Sequence, residues 1–398
     1  MKTIKLIYIF LILVLGTAAA KAETLTVGET DLSPAGEAYE VNLGLDSQLY
    51  LSDYSAKQVW RINPANDAVS LYQLTQNVVD ARPRSANEIW WTDGADVFGR
   101  INLANNPPNV IYWTMPEGAN LWGTAFDPEN KLWLTEWFGS ASFIYRFDPV
   151  ANTYCAYQLY KNDLEIGGAQ SYYILYDQGK VWIANWSLRR IIRMDPVAEE
   201  NTWWQIPDAG SIPRGLALDS NGHLWWADEG LGALIKLNPL TNQALRYDLP
   251  AGEHPKSIMI DHGAVRYTEF DESTQTAGTF GILDPVRASA TTVDMTTGTS
   301  PVDVYCNQLA GPGTVSSLTI STPTLTWGSL DLTPIVEDAA WTVFQLPSSA
   351  GSPGRPYGIA LGGANIWMSD QGRQKLLRYD AASTLPNQNI YLPVVFKP

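Results

Sequence analysis

Residues 213–250 read PRGLALDSNGHLWWADEGLGALIKLNPLTNQALRYDLP and combine, in 38 residues, a Pro-x-Gly start with three strand-like runs. The runs LWWAD, LIKLNP and RYDLP are short, and Asp, Asn, Gly and Pro residues lie between them. Apolar and aromatic runs bounded by such turn residues are typical of β-strands. The stretch contains no catalytic motif, so it predicts one unit of a β-scaffold.

The strand that ends in an acidic residue, or once in Asn, recurs along the chain. It appears as LYLSD (49–53), IWWTD (89–93), LWLTE (132–136), VWIAN (181–185), LWWAD (224–228), VRYTE (265–269) and IWMSD (366–370). The first six copies end 40, 43, 49, 43 and 41 residues apart. A period of this length built from four short strands is typical of a β-propeller. We therefore predict an all-β propeller with four-stranded blades, in which Trp side chains fill the space between blades.

The last interval, from Glu269 to Asp370, spans 101 residues, which is about two periods. Residues 289–347 fit either a degenerate blade without the acid or a long insertion in a seven-bladed ring. The mean spacing favours eight blades, one of them degenerate, over seven. The last repeat lacks an outer strand, so we expect residues 24–28, TLTVG, to supply it and close the ring.

Both chain ends differ from the repeats. Residues 1–22 have a basic start, an apolar run and a small-x-small site, which is typical of a signal peptide. We therefore expect an exported protein, secreted, periplasmic or extracellular, with a propeller over residues 23–385 and an apolar tail over 386–398. The signal peptide would remove three Lys and no acid, changing the formal charge from −15 to −18. So acidic a protein disfavours nucleic acid as a partner, and we expect a monomer with no membrane span.

The chain has two cysteines. Cys155 falls in the outer strand of the third repeat, and Cys306 falls in the inner strand of the predicted degenerate blade. These places are far apart on an eight-bladed ring, so we expect no disulfide between them.

The recurring acids would lie on one rim of the ring, where the second strands end. Asp53, Asp93, Glu136, Asp228, Glu269 and Asp370 form this set, with Asn185 as a neutral member. Because an acid recurs in nearly every blade, one interpretation is that it caps turns. The other is that convergent carboxylates hold Mg²⁺ or Ca²⁺. The candidate metal ligands are Glu136, Asp228, Glu269 and Asp370.

A second set of residues follows the start of each inner strand and varies from blade to blade. Its members, with one Trp that follows an acid, are Trp122, Trp137, Tyr172, Arg214, Lys256 and Tyr357. Aromatic rings beside cations indicate a pocket for a small molecule, glycan or peptide at the central funnel. Packing of the rim is the alternative. Among the three His, only His254 lies on this side, so it is the candidate acid–base group.

The repeats LWLTEWFGSASFIYRFDP (132–149) and RPYGIALGGANIWMSDQGRQKLLRYD (355–380) resemble the virginiamycin B lyase (streptogramin lyase) family. That resemblance implies a propeller and a Mg²⁺-dependent lyase that opens cyclic streptogramin B antibiotics by elimination at an ester linkage. The family's catalytic Pro-His segments correspond here to Pro255-Lys256, Pro301-Val302 and Pro356-Tyr357, which contain no His. The stretch GTAFDPENKLWLTE (123–136) is similar to gluconolactonase-type propellers, which implies Ca²⁺ held by residues such as Glu136, Asn185 and Asp228.

These observations predict an exported, streptogramin-lyase-like propeller that binds a ligand at the central funnel. The alternative is a divalent-metal-dependent enzyme, either a C–O lyase of the streptogramin B type or a lactonase. The missing Pro-His segments favour the binding module, and the retained acids favour the enzyme.

Overall fold

Seven antiparallel sheets form the blades of a β-propeller in the computed structural model, and each sheet has five strands. The inner strands of consecutive blades contact one another, and those of blade 7 contact blade 1, which closes the ring. The structure describes residues 24–32, 36–116, 118–137, 143–159, 170–250, 254–274, 276–315, 318–349 and 352–384. The predicted signal peptide and the predicted C-terminal tail lie outside these residues. Within them, no helix has the length and hydropathy needed to cross a membrane.

Blades 1 to 5 are each built from four consecutive strands, numbered here from the axis outward. These strands are Ala38–Leu43, Leu49–Asp53, Gln58–Ile62 and Val69–Gln73 in blade 1; Asp80–Ser85, Glu88–Thr92, Val97–Asn102 and Asn109–Thr114 in blade 2; Leu121–Phe126, Leu132–Glu136, Phe143–Asp148 and Thr153–Gln158 in blade 3; Ser171–Asp177, Lys180–Asn185, Arg190–Asp195 and Glu200–Gln205 in blade 4; and Pro213–Leu218, Leu224–Asp228, Ala233–Asn238 and Gln243–Asp248 in blade 5.

Blades 6 and 7 draw one strand each from elsewhere in the chain. Blade 6 consists of Pro255–Asp261, Ala264–Glu269, Thr279–Leu283 and Trp341–Gln345. Blade 7 consists of Pro356–Gly362, Asn365–Asp370, Lys375–Asp380 and Leu25–Asp31, so the N-terminal strand takes the fourth position. A short hairpin pairs Ser348–Ser349 with Ser352–Pro353, and a 3₁₀ helix covers Ala381–Thr384.

The fifth strand of every blade comes from one segment, residues 291–337, which we call the belt. Its strands pair in turn with the fourth strands of blades 5, 4, 3, 2, 1, 7 and 6. They are Thr291–Val293, Thr296–Pro301, Asp303–Gln308, Gly313–Val315, Thr319–Ser321, Gly328–Leu332 and Pro334–Glu337. The belt leaves blade 6, passes once around the ring and returns to blade 6.

The belt corrects two predictions. The prediction of an eighth, degenerate blade is wrong, because residues 289–347 form the belt and the fourth strand of blade 6. The prediction of four-stranded blades is also wrong, since each blade gains a fifth strand at its outer edge. Alternation of apolar and polar residues marks a strand but does not show which edge the strand will join. The belt is rich in Thr and Ser and largely exposed, as suits strands that cover sheet edges.

The belt also explains why the prediction about cysteines is wrong. Cys155, in the fourth strand of blade 3, lies directly opposite Cys306 of the belt. Their Cα atoms are 4.0 Å apart and the two residues form a disulfide. The sequence separation is 151 residues, and only the path of the belt brings the two positions together.

Tryptophans of the second strands pack between neighbouring blades, as predicted. Trp90 of blade 2 is fully buried among Leu132 and Leu134 of blade 3. It also stacks on Trp113 of its own blade, with ring centroids 5.4 Å apart. Trp225 and Trp226 of blade 5 are fully buried in the same way. These side chains bury the blade faces that a single sheet would leave exposed.

We expect removal of the disulfide to destabilise the ring. Replacing Cys306→Ser should lower the free energy of unfolding by about 2–4 kcal/mol, because the cross-link restricts the unfolded chain. Urea unfolding of the non-reduced protein measures this difference. The Cys155→Ser variant should lose a similar amount, and the double variant should lose no more than either single one. If the unsubstituted protein, denatured without reduction, had two thiols that can be alkylated, the disulfide assignment would be contradicted.

Candidate functional site

The inner strands carry a backbone irregularity near their starts that aims side chains at the axis. In six blades the register with the second strand shifts within the first three or four residues. Such bulges change the direction of side chains. The residues that follow the start of these strands are Tyr39, Trp122, Tyr172, Arg214, Lys256 and Tyr357. Five of these six were singled out from the sequence, and Tyr39 was not.

The third residue of the inner strand is Gly in several blades because neighbouring inner strands lie very close together. A Cβ atom on Gly215 would lie 2.8 Å from the carbonyl oxygen of Lys256. On Gly358 it would lie 2.5 Å from the backbone nitrogen of Val41. Any larger residue at these two places would force the strands apart. The recurring Pro-x-Gly sequence therefore indicates close packing of the inner strands around the axis.

An aromatic cluster spans the funnel at this level, and we call it the mouth cluster. Its members come from five blades and are Tyr39, Trp122, Trp137, Tyr172, Tyr173, Trp186, Phe270 and Tyr357. Trp122 lies at ring-centroid distances of 5.4 Å from Trp137 and 4.9 Å from Tyr172. The hydroxyl groups of Tyr172 and Tyr357 are in contact across the axis. Trp122 and Trp186 remain partly exposed, which leaves aromatic surface open to a ligand.

Two buried cations complete the mouth cluster. The guanidinium of Arg214 lies over the rings of Trp137, Tyr172 and Trp186 at 5.3, 4.5 and 4.9 Å. The ammonium of Lys256 lies 4.9 Å from the Phe270 ring centroid. All six predicted ligand-binding residues are therefore brought together in one place. Arg214 is 7% exposed and Lys256 is 3% exposed, so both charges need partners.

Glu229 provides the main partner for both cations. Its Oε2 accepts a hydrogen bond of 2.5 Å from Arg214 Nε, and its Oε1 accepts one from Lys256 Nζ. Glu272 lies 3.5 Å from Lys256 Nζ. Burial alone would raise the pKa of Glu229, but the charges of Arg214 and Lys256 outweigh it and lower the pKa. The four charges of this network balance.

A polar group adjoins the mouth cluster and shares Tyr173 with it, and its members lie on three of the four blades that lack the Gly. Glu40, Tyr173 and Ser257 stand where other blades have the third-place Gly. The Tyr173 hydroxyl donates a hydrogen bond of 2.7 Å to Glu40 Oε1, and it lies 3.4 Å from Ser257 Oγ. Burial, with repulsion from Asp80, raises the pKa of Glu40 to about 7. Sequence reasoning missed this group, although the departure from Gly at a repeated place was visible.

The recurring acids are engaged within their own blades. Asp228 accepts hydrogen bonds from Ser211 Oγ at 2.6 Å and from the Ile212 backbone at 2.8 Å. Asp370 accepts from the Arg355 backbone at 2.8 Å and from Arg373 Nε at 2.6 Å. The other acids also accept bonds from their own turns, strands or loops: Asp53 from Ala56, Asp93 from Ala95 and Val97, Glu136 from Phe143, and Glu269 from Thr279.

The acid set therefore fits the turn-capping interpretation. Glu136, Asp228, Glu269 and Asp370 do not converge, and no three His, Cys, Asp or Glu residues of the described chain are grouped to hold a metal ion. The Mg²⁺ or Ca²⁺ that the family resemblances imply is not matched by these residues.

His254 lies at the edge of the funnel and outside the mouth cluster. Its Nε2 is 3.7 Å from Asp271 Oδ2, and its side chain is half-buried. Its backbone oxygen accepts a hydrogen bond from Phe270, which fixes the loop beside Lys256. Neither contact places the imidazole against the aromatic rings, so its acid–base role stays a prediction.

Comparison with family models and with curated proteins finds no match. Among solved structures, the chain is similar to a catalytically inactive virginiamycin B lyase from Staphylococcus aureus with quinupristin. The identity is 17%, the TM-score is 0.62, and the match covers 90% of this chain and 99% of that chain. A streptogramin B lyase matches at 15% identity and a TM-score of 0.62, over 89% of this chain and 97% of that chain.

A third similar structure is the extracellular domain of a hybrid two-component system from B. thetaiotaomicron. It matches at 11% identity and a TM-score of 0.56, over 92% of this chain and 44% of that chain. At such identities the likeness shows the fold alone. The sequence resemblance to streptogramin lyases is thus confirmed for the propeller fold.

The raised pKa of Glu40 predicts a pH-dependent stability. Its folded pKa of about 7 exceeds the ordinary 4.5, so its destabilising effect appears above pH 4.5 and is complete above pH 7. Glu40→Gln, which keeps an acceptor for Tyr173, should therefore stabilise the fold at pH 8 by about 1–3 kcal/mol and change little at pH 4. Urea unfolding at both pH values tests this. Glu200→Gln, at an exposed residue, is the control. An equal effect of Glu40→Gln at both pH values would refute the shift.

Proposed function

We propose that the chain is an exported ligand-binding propeller whose mouth cluster binds a neutral glycan. The observation that carries the proposal is the combination, at one funnel, of partly exposed aromatic rings with a charge-balanced polar network. Aromatic faces suit the apolar faces of sugar rings, and the polar groups suit their hydroxyl groups. The extracellular domain of the two-component system has a similar fold, and this likeness supports an extracellular location for the present chain.

Charge balance favours a neutral ligand over a charged one. Arg214 and Lys256 are already paired with Glu229, and Lys256 also lies near Glu272. An anionic ligand would have to displace Glu229 and leave that carboxylate buried without its partners. Hydroxyl groups can instead donate to carboxylate oxygens or accept from the cations without breaking an ion pair. A polyhydroxylated ligand can therefore bind this network without breaking its ion pairs.

A metal-dependent lyase or lactonase is the second candidate, and one observation favours an enzyme. Glu40 has a pKa of about 7 and a hydrogen bond to Tyr173 in the funnel, which suits acid–base work. Against it, the described acids do not assemble a metal site. Catalytic turnover would therefore support this second candidate and not the proposal of glycan binding.

The proposal predicts that Trp122 contributes to glycan affinity. Titration of the purified protein with neutral mono- and oligosaccharides, followed by saturation-transfer NMR and calorimetry, should identify a binder. Trp122→Ala should then weaken that binder about tenfold, or ~1.4 kcal/mol, by removing a stacking surface.

Trp203→Ala is the matched control. Trp203 lies on the fourth strand of blade 4, outside the funnel, and is partly exposed like Trp122, with the guanidinium of Arg190 4.1 Å from its ring centroid. Its loss should leave glycan binding unchanged. Absence of binding to every neutral sugar at millimolar concentration would contradict the proposal. Ring opening of quinupristin or of a lactone, lost in Glu40→Gln, would favour the enzyme instead.

A further inference from the structure

A second cavity lies away from the mouth cluster, on the outer half of blade 3. Its volume is about 260 Å³, and no residue of the mouth cluster lines it. The loop that leads into blade 3 forms one side, with Gly118 and Ala119. The outer strands of blade 3 and the belt strand Asp303–Gln308 form the other side.

Aromatic rings form the walls of this cavity. Phe143, Tyr145, Tyr154 and Tyr305 all line it. The ring centroid of Phe143 is 6.0 Å from Tyr145 and 6.3 Å from Tyr305, and Tyr145 is 6.2 Å from Tyr154. Tyr305 belongs to the belt and is 49% exposed, so it stands at the opening. The neighbouring disulfide at Cys306 ties this wall to blade 3.

Among the described residues that line the cavity, Glu136 is the one with a charged side chain. Glu136 is only 3% exposed. Its Oε2 accepts a hydrogen bond of 2.9 Å from the Phe143 backbone, and no described residue bonds to its other oxygen. Burial raises the pKa of Glu136 to about 7. No Lys, Arg or His is among the described residues that line the cavity, so none of these residues pairs with the carboxylate as a counter-ion.

An unpaired buried carboxylate among aromatic faces is suited to an organic cation. Aromatic rings attract a cation through their negative faces, and recognition of quaternary ammonium groups by aromatic cages uses this attraction. The buried carboxylate supplies the opposite charge, and a bound cation would offset the free-energy cost of removing that carboxylate from water. The negative net charge of the chain, −15, also favours the approach of cations.

We propose that this cavity binds a small organic ammonium ion, with Glu136 as its counter-ion and the four aromatic rings as its walls. A metal ion is a poorer occupant, because no three potential metal ligands are grouped within the described chain. The site is independent of the mouth cluster, so it stands or falls separately from glycan binding.

Calorimetric titration at pH 8 tests the proposal with choline, tetramethylammonium and 3,3-dimethylbutan-1-ol, the uncharged analogue of choline. The two ammonium ions should bind, and the alcohol should bind at least tenfold more weakly. Glu136→Gln keeps the size of the side chain and an acceptor for Phe143, yet should lower choline affinity at least tenfold. Tyr305→Ala should also weaken choline binding, because it removes a wall at the opening.

Glu269→Gln is the matched control, since Glu269 ends the second strand of blade 6 and is also buried. This variant should bind choline as the native chain does. The unfolding transition of each variant checks that it is folded. Equal binding of choline and its uncharged analogue, or full choline affinity in folded Glu136→Gln, would overturn the proposal. Absence of ammonium binding by the native chain at tens of millimolar would overturn it as well.

The pH dependence gives a second readout. Choline affinity should fall from pH 8 to pH 6 as Glu136 becomes protonated, and Glu136→Gln should lose this dependence. The other titratable groups on the described walls are Tyr145, Tyr154 and Tyr305, and burial raises the pKa of Tyr145 above its ordinary value. Asp96 lies behind the loop and accepts hydrogen bonds from Gly118 and Ala119. A pH dependence that persists in Glu136→Gln would assign the counter-ion role elsewhere and overturn the proposal.

Discussion

The close approach of neighbouring inner strands around the axis determines the rest of the functional surface. Where two strands nearly touch, as at Gly215 and Gly358, no side chain can be accommodated. The side chains that do reach the axis are therefore few, and each has a defined direction. Glu40, Tyr173 and Ser257 occupy three of the four places without Gly, and Tyr39 and Tyr172, which precede the first two, belong to the mouth cluster. One packing constraint thus brings polar and aromatic side chains together within a few residues of the inner strands.

The charges in the funnel are held in place by contacts within the chain. Arg214 lies among three aromatic rings and donates to Glu229, which also accepts from Lys256. Such a buried network is costly to desolvate, and well-packed apolar residues would often be as stable. The proposed glycan binding would account for this network at the funnel, because a binding site benefits from side chains that are already oriented. The acid set contrasts with it, since those carboxylates serve the turns of their own blades.

Features that repeat were predictable from the sequence, and features that occur once were not. The period of about 43 residues, the Trp strands and the convergence of Arg214, Lys256 and Tyr357 all follow from one blade geometry copied around a ring. The belt occurs once, and its alternating residues look like those of any strand, so the sequence does not show that it joins seven outer edges. The disulfide was missed for the same reason, because Cys306 reaches Cys155 only through the belt. Glu40 was not predictable from the repeat, because it stands where the repeated Gly is replaced.

The path of the belt changes how this ring is expected to assemble. Repeat proteins can add or lose units one at a time, because each unit contacts only its neighbours. Here blade 6 has its first three strands before the belt and its fourth strand, Trp341–Gln345, after it. Blade 6 can be completed only once the intervening chain has travelled around the other six blades. These pairings join residues far apart in sequence, which slows folding. We therefore expect the seven blades to fold and unfold as one cooperative unit.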